Sequence, residues 1–541
     1  MPGNRITTWL RERRLLLGLS VGLPLAEMGI LAAFGNHSGM GLAGQVTAPG
    51  PFGVFHDLRL LFVFHDSIVW FVLGAAALVA GRSLLAALLV RSAWPGEAPP
   101  FGLLVRHMLV ITAAAAILLS PWVTLMFGAA VIPLSWIYFS ALAPALATIL
   151  LLHHGGVDGG WWRRLPPARS AAWMALSFLV LSLSALGVAG QPGPVVAVVL
   201  AATGLWNAWA WEHSVRVIVT GLPGRSHRLA PVTVVSVVLV FGVVVGGSQI
   251  GFAVRAYVDP GVWVPGDARA GDRAVLLVGG FASACCDEGP ILQGDTPGVY
   301  VEQFSYAGLT AKGDPRPHAG SATDADLSRM ARLVAVQVNA LAADTGGPVA
   351  LVAESEGTLV ATAYLEAYPN APVDRLMLLS PIVDPGRATF PDPGEEGFGV
   401  VAGYELRAVT GLIDAMAPFV ISADSPLTDS VRREAEELRG EAVCDRPAIE
   451  EIVVVPLADA VMSPPGSEPG IEVITVPGFH GGLRGRPDVQ AMIRQWVQGA
   501  DLEGSDLGAA VGQVLSGSAS AWQVPGLDGV AGGEPDCAAA G

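Results

Sequence analysis

Ser355 stands where a serine could be made reactive. It sits in the stretch VALVAESEGTLVA (349–361), between an apolar, β-branched run and a helical pattern. A serine hydroxyl is a weak nucleophile; it needs a base, a site that accepts developing negative charge, and exposure to substrate. A sharp strand-to-helix turn supplies the last two. It lifts the hydroxyl above the C-terminal edge of a sheet and aims helix N-terminal N–H groups at the reacting oxygen. Such a turn crowds its neighbours, so small residues are needed two before and two after the serine; here they are Ala353 and Gly357. The flanking Glu354 and Glu356 are expected to be solvated carboxylates favoured by the helix dipole.

Here the chain resembles the α/β-hydrolase family, its lipase and esterase members in particular. That family's elbow reads G-x-S-x-G, and residues 353–357 read A-E-S-E-G, with alanine for the first glycine. The resemblance covers roughly 272–500. It implies the chain order nucleophile, acid, histidine. Asp459 in VVVPLADAVMSP and His480 in VITVPGFHGGL each follow a strand-like run in the matching places. The implied roles are Ser355 as nucleophile, His480 as general base and then acid, and Asp459 as the carboxylate that orients the imidazole. Asp384 in LLSPIVDPG is the alternative acid. The oxyanion hole is implied to use the main-chain N–H groups of Glu356 and of Phe281 in LLVGGFAS. No cofactor and no metal is implied, and no zinc-type CxxC spacing is present.

The elements that must position these residues read as an α/β domain. Apolar runs at 274–281, 299–306, 348–354, 374–381, 450–459 and 471–478 alternate with helical patterns at 324–344, 356–369 and 487–499. Continuous apolar strands between helices predict a mostly parallel sheet covered on both faces. Thr323 and Asp324 are the capping candidates of the first helix. About 70 residues separate the strand ending at 381 from the one starting at 450, too long for an ordinary connection, so a helical cap over about 386–448 is expected. Residues 501–541 form a Gly/Ala-rich tail.

The first half has another solvent. The 541-residue chain is 52% hydrophobic and 14% charged. Residues 1–254 carry 14 Lys+Arg against 7 Asp+Glu, a net of +7; residues 255–541 carry 17 against 40, a net of −23. An acidic second half speaks against nucleic acid, whose phosphates call for a basic footprint. Seven apolar stretches, near 14–35, 60–81, 104–127, 130–152, 171–190, 194–214 and 230–253, approach the roughly 20 residues that a span needs. The expected fold is therefore an all-α transmembrane bundle of about seven helices over 1–254, a linker at 255–271, and an α/β-hydrolase domain at 272–500.

Basic residues favour cytoplasmic loops. With the N-terminus inside, 13 of the 14 basic residues fall inside, among them Arg82, Arg91 and Arg106, and only Arg59 falls outside. Seven spans then put the second half on the extracytoplasmic side of a cell membrane, and the first span is expected to be retained rather than cleaved. All four cysteines, Cys285, Cys286, Cys444 and Cys537, lie in that half. Adjacent cysteines rarely bond each other, so Cys285 and Cys286 are expected to reach Cys444 and Cys537.

Ionisable residues within spans are functional suspects: Glu27, His65, Asp66, Glu212 and His213. The motif VFHD occurs at 54–57 and again at 63–66, too short an echo to be a repeat. The expected function is a membrane-anchored serine hydrolase acting on an ester or lipid substrate beside the bilayer, with acyl transfer to an alcohol as a variant. The alternative is a transporter or sensor whose outer domain binds a ligand without catalysis.

Overall fold

The computed structural model describes residues 13–35, 37–63, 65–128, 136–157, 168–188, 191–220, 270–286, 297–382, 391, 394–397, 399–415, 425–438, 446–458, 472–502, 504, 507–508 and 510–511. The chain divides into a helical half and an α/β half.

In the α/β half six strands make one parallel sheet: β1 (Arg273–Val278), β2 (Val299–Gln303), β3 (Val349–Glu354), β4 (Val373–Leu379), β5 (Glu450–Ala458) and β6 (Glu472–Phe479). Their order is β2-β1-β3-β4-β5-β6. The chain steps outward from β1 to β2, then returns to the other side of β1 with β3. This reversal between β1 and β3 opens a crevice at the C-terminal ends of those two strands, where ligands of open α/β sheets bind. Every residue of β3 is buried, as a central strand covered on both faces requires.

Helices supply the covers. Leu327, Met330, Val334, Val338 and Leu341 form one stripe along α8 (Leu327–Thr345), the spacing of an apolar helix face. They pack on one side of the sheet with α9 (Glu356–Ala367). On the other side α12 (Pro487–Val497) buries Val489, Ile493, Trp496 and Val497. Asp326, not Thr323 or Asp324, caps α8, its side chain accepting from the Arg329 N–H at 3.3 Å. Thr323 instead accepts from the Ala282 N–H, and Asp324 from the Leu427 N–H.

The helical half contains α1 (Arg14–Ala33), a 3-10 segment (Ser38–Thr47), α2 (Phe52–Val63), α3 (Ile68–Ala93), α4 (Phe101–Gly128), α5 (Trp136–Gly155), α6 (Ala168–Val188) and α7 (Gly193–Thr220). Five helices among the described residues are long and apolar enough to cross a membrane: α1, α3, α4, α6 and α7. Their outward faces carry Val110, Ile117, Leu183 and Val198, each more than 60% exposed. The expected span at 130–152 corresponds to α5, and the one at 230–253 lies outside the described residues.

The span expected at 60–81 is corrected. Its helix starts at Ile68, where Ser67 caps it. The residues before it belong to α2, which with the 3-10 segment folds back into the bundle. Thr47 Oγ1 donates to Ser20 O, about 9 Å along α1 from Arg14. Asn207 donates to Gly44 O and Trp211 to Thr47 O. Arg82, expected in an inner loop, sits near the middle of α3 and is paired with Asp57 on both carboxylate oxygens. Arg59, expected outside, is 4% exposed.

Among the described residues two helices lie between β4 and β5, in the stretch expected to form a cap, and they divide their contacts. α11 (Pro426–Leu438) packs on the sheet domain, where Ser430 accepts from the Leu327 N–H and Arg433 pairs with Asp326. α10 (Val400–Asp414) packs on the helical half. Its Val401 N–H donates to His65 Nε2 at 2.9 Å, and Glu405 accepts from Ser120 at 2.7 Å and Thr124 at 3.1 Å. Burial pushes the Glu405 carboxyl up, against the two hydroxyl donors. Both copies of the VFHD echo are thus engaged: His56 contacts Glu27, Asp57 pairs with Arg82, and His65 holds the cap.

Candidate active site

β3 ends in a one-residue corner. Ser355 adopts φ 55° and ψ −121°, and α9 starts at the next residue. A non-glycine residue at positive φ is strained, and this one is held from several sides. Its N–H donates to Leu379 O, and its carbonyl accepts from the Thr358 N–H at 2.9 Å and hydroxyl at 2.6 Å. Gly357 is required by space: an added Cβ would lie 2.6 Å from Val278 O and 2.8 Å from Gly279 O. Ala353, in the place of the family's first glycine, is fully buried between Val278 and Leu378 of the neighbouring strands.

Ser355 Oγ lies 2.7 Å from His480 Nε2. His480 directly follows β6, at the same edge of the sheet. Asp459 and the alternative acid Asp384 both lie outside the described residues. The strand leading to Asp459 ends at Ala458, which is paired with Phe479, the residue before His480.

Phe281 lies in the turn after β1, beside β3. The preceding Gly280 passes close to the serine: a Cβ there would lie 2.9 Å from Ser355 Cβ and 3.4 Å from its Oγ. The loop is tied down by the Tyr306 hydroxyl, which donates to Gly279 O at 2.6 Å, and by Thr323 at Ala282. Glu356 is the first residue of α9, where main-chain N–H groups have no partner within the helix.

The expectation that Glu354 and Glu356 are solvated is overturned: they are 6% and 2% exposed. Glu354 accepts from the Leu483 N–H at 2.6 Å and lies 3.9 Å from the Arg484 guanidinium. It fastens the loop that carries His480 to the strand that carries Ser355. Glu356 has no hydrogen-bond partner on either carboxylate oxygen among the described residues. Burial, reinforced by Asp324, pushes its carboxyl well above the usual range. Burial and the proximity of Glu356 likewise raise the Tyr306 phenol. Sequence reasoning took two charged letters beside a helix start as surface; the signal it lacked was that a corner between a buried strand and a buried helix has no surface side.

The expected cysteine pairing is also corrected. Cys285 and Cys286 are bonded to each other, both are buried, and Cys286 has φ 93°. Cys285 also forms an antiparallel bridge with His318. Cys444 and Cys537 lie outside the described residues. Among the described residues no group of three His, Cys, Asp or Glu side chains could hold a metal ion.

No protein-family model matches the chain, and no curated protein matches it. Among solved structures, a monoacylglycerol lipase of Paleococcus ferrophilus matches with 17% identity and a TM-score of 0.26, over 46% of this chain and 97% of that one. The chain joins a helical region, with five apolar helices of spanning length among the described residues, to a six-stranded parallel α/β domain.

Proposed function

We propose that this protein is a membrane-anchored serine hydrolase that cleaves ester bonds through an acyl-serine intermediate. The observation that carries the reading is the 2.7 Å contact between His480 Nε2 and the hydroxyl of Ser355, a residue held at positive φ on a strand-to-helix corner.

In the first half-reaction Ser355 Oγ bonds to the ester carbonyl carbon while its proton passes to His480 Nε2. The carbonyl oxygen takes the negative charge, facing the N–H groups of Glu356 and Phe281. Collapse breaks the C–O bond to the alcohol, which leaves with the proton from His480. Water repeats the sequence on the acyl-serine, giving the acid and restoring the hydroxyl. Asp459 is the proposed partner of the imidazole and Asp384 its alternative. An alcohol in place of water would make the same centre an acyltransferase.

The proposed substrate is an acyl ester held in or beside the bilayer, and the proposed location is the extracytoplasmic face. Two features support this. The cap helix α10 rests on the helical half, and it does so at His65, Ser120 and Thr124. Those positions lie at the ends of the helices away from Arg13, Arg91 and Arg216, and basic residues favour the cytoplasmic end.

A fluorophosphonate probe tests the chemistry. The wild-type chain is expected to take the label and Ser355→Ala to lose it; a folded wild type that resists labelling would overturn the reading in favour of a ligand-binding domain. A tag placed after Gly541 tests the sidedness. It is expected to be cut by protease added to intact spheroplasts, and protection would overturn the extracytoplasmic assignment.

A further inference from the structure

The helical half contains a second concentration of chemistry, and it lies deep within the bundle. Glu27 of α1, about 9 Å along the helix from Ala33, meets His56 of α2, with Oε1 2.7 Å from Nε2. The next residue, Asp57, is paired with Arg82 of α3, and Arg59 is buried one turn from His56. Arg82 also donates to Val46 O at the end of the 3-10 segment. Ionisable side chains at this depth cost about 2.5–3.5 kcal/mol each on insertion scales. A purely structural role would be served as well by apolar residues of similar volume.

Charge counting separates the members. Two carboxylates, Glu27 and Asp57, are balanced by two guanidinium groups, Arg59 and Arg82, which keep their protons at any ordinary pH. His56 is the additional group. Its 2.7 Å contact with Glu27 needs one proton, placed on Nε2 when the imidazole is neutral and Glu27 ionised. Its Nδ1 then offers a lone pair, and that atom has no hydrogen-bond partner among the described residues although His56 is only 2% exposed.

A second imidazole repeats the pattern beside Arg82. His153 of α5 is 2% exposed, and its Nε2 has no partner among the described residues. It lines a cavity with Arg82, Thr112, Trp211 and the turn Gly50–Pro51, where the chain reverses between the 3-10 segment and α2. Irregular backbone at this depth is tolerated where it borders a cavity, and broken helices of this kind frame ion sites in transporters.

We propose that His56, next to the Asp57 that pairs with Arg82, and His153, which shares a cavity with Arg82, form a proton-exchange path through the helical half. This rests on reading that half as membrane-spanning and is independent of the hydrolase. The step at His56 balances. Nδ1 accepts a proton arriving by water from the His153 side, Nε2 gives its own proton to Glu27 Oε1, and the imidazole is neutral before and after. Glu27 becomes a carboxylic acid and releases the proton outward. Among the described residues, His56 contacts Glu27 of α1, the charges acting on Glu27 are Arg59 of the same helix as His56 and Arg82 of α3, and Asp57 follows His56 in sequence. The partner is the hydrogen ion itself.

The test uses the full chain in vesicles of phosphatidylethanolamine and phosphatidylglycerol that trap a pH-reporting dye. Valinomycin and equal potassium on both sides remove any voltage, and the outside is stepped to acid. Wild-type vesicles are expected to acidify about tenfold faster than vesicles with His56→Gln, which keeps an amide in place of the titrating ring. Glu27→Gln and His153→Gln are expected to slow acidification as well. A wild-type rate equal to that of protein-free vesicles, or equal to that of all three variants, overturns the proposal. If one variant aggregates in detergent, the other two and the protein-free control still decide.

Discussion

Two glutamates, one in each half, show how different surroundings accommodate a buried carboxylate. Glu354 in the α/β half is met by main-chain N–H groups of the loop after β6. Glu27 in the helical half is met by a histidine side chain, with Arg59 and Arg82 nearby. The difference follows from backbone accounting. Loops after parallel strands have N–H groups that no ladder uses and can lend them. Helices consume their own N–H groups from one turn to the next, so within a bundle charge is answered by other side chains. Glu356 shows a third outcome: among the described residues no hydrogen-bond donor meets its carboxyl, and burial pushes it well above the usual carboxylate range.

Four experiments sharpen or break this contrast. The largest effect is expected from Ser355→Ala, a loss of about 10⁶-fold in kcat on an activated ester. A loss under about tenfold would place the chemistry elsewhere and leave Glu354 without a catalytic loop to hold. Next is Arg82→Met, which strands Asp57 inside the bundle. It should destabilise the protein in detergent by about 3–5 kcal/mol, while the pair of changes Asp57→Leu with Arg82→Met recovers most of that. A single variant as stable as the wild type would mean that charge is not what answers charge in that half.

Glu354→Ala should then reduce kcat by about 100-fold with little change in KM, and Glu354→Gln by less, because its amide oxygen can still accept from Leu483. Equal losses in the two variants would show that the loop depends on the charge rather than on the acceptor. The smallest effect concerns Glu302 at the edge strand. Burial first, with Asp344 and Asp314 adding to it against the Tyr300 hydroxyl, pushes its carboxyl up to about 7. A carboxyl raised on folding stabilises most when protonated. The contribution is complete below about 4.5 and is lost as pH rises through about 7. The wild type should thus lose about 2 kcal/mol across that window, and Glu302→Gln should flatten the slope. An unchanged slope would assign the dependence to other groups.

Much of the α/β half was legible in sequence because its central strands are buried on both faces and read as unbroken apolar runs, such as AVLLV in β1 and VALVA in β3. The corner at Ser355 was legible because sterics there admit few residues: Gly357 faces two carbonyl oxygens at under 3 Å. The loop clamp by Glu354 was not, since its donors are main-chain groups at 483 and 484, which no side-chain pattern marks. In the helical half hydropathy located α1, α4, α6 and α7 closely. It misjudged the boundary of α3, because α2 is as apolar as a span yet too short to cross, and only the Ser67 cap ends the ambiguity. Arg82 was assigned to a loop by a rule about charge and lipid that a bidentate partner on another helix sets aside.

The separation of 125 positions between Ser355 and His480 bears on how such a protein is made. A nascent chain that has already shaped the corner still lacks its imidazole, because that ring follows β6, and among the described residues β6 pairs only with β5. Until the outermost strand docks, the hydroxyl is an ordinary alcohol. For the proposed hydrolase, assembly would act as a safety catch: a half-built molecule would leave the esters around it intact.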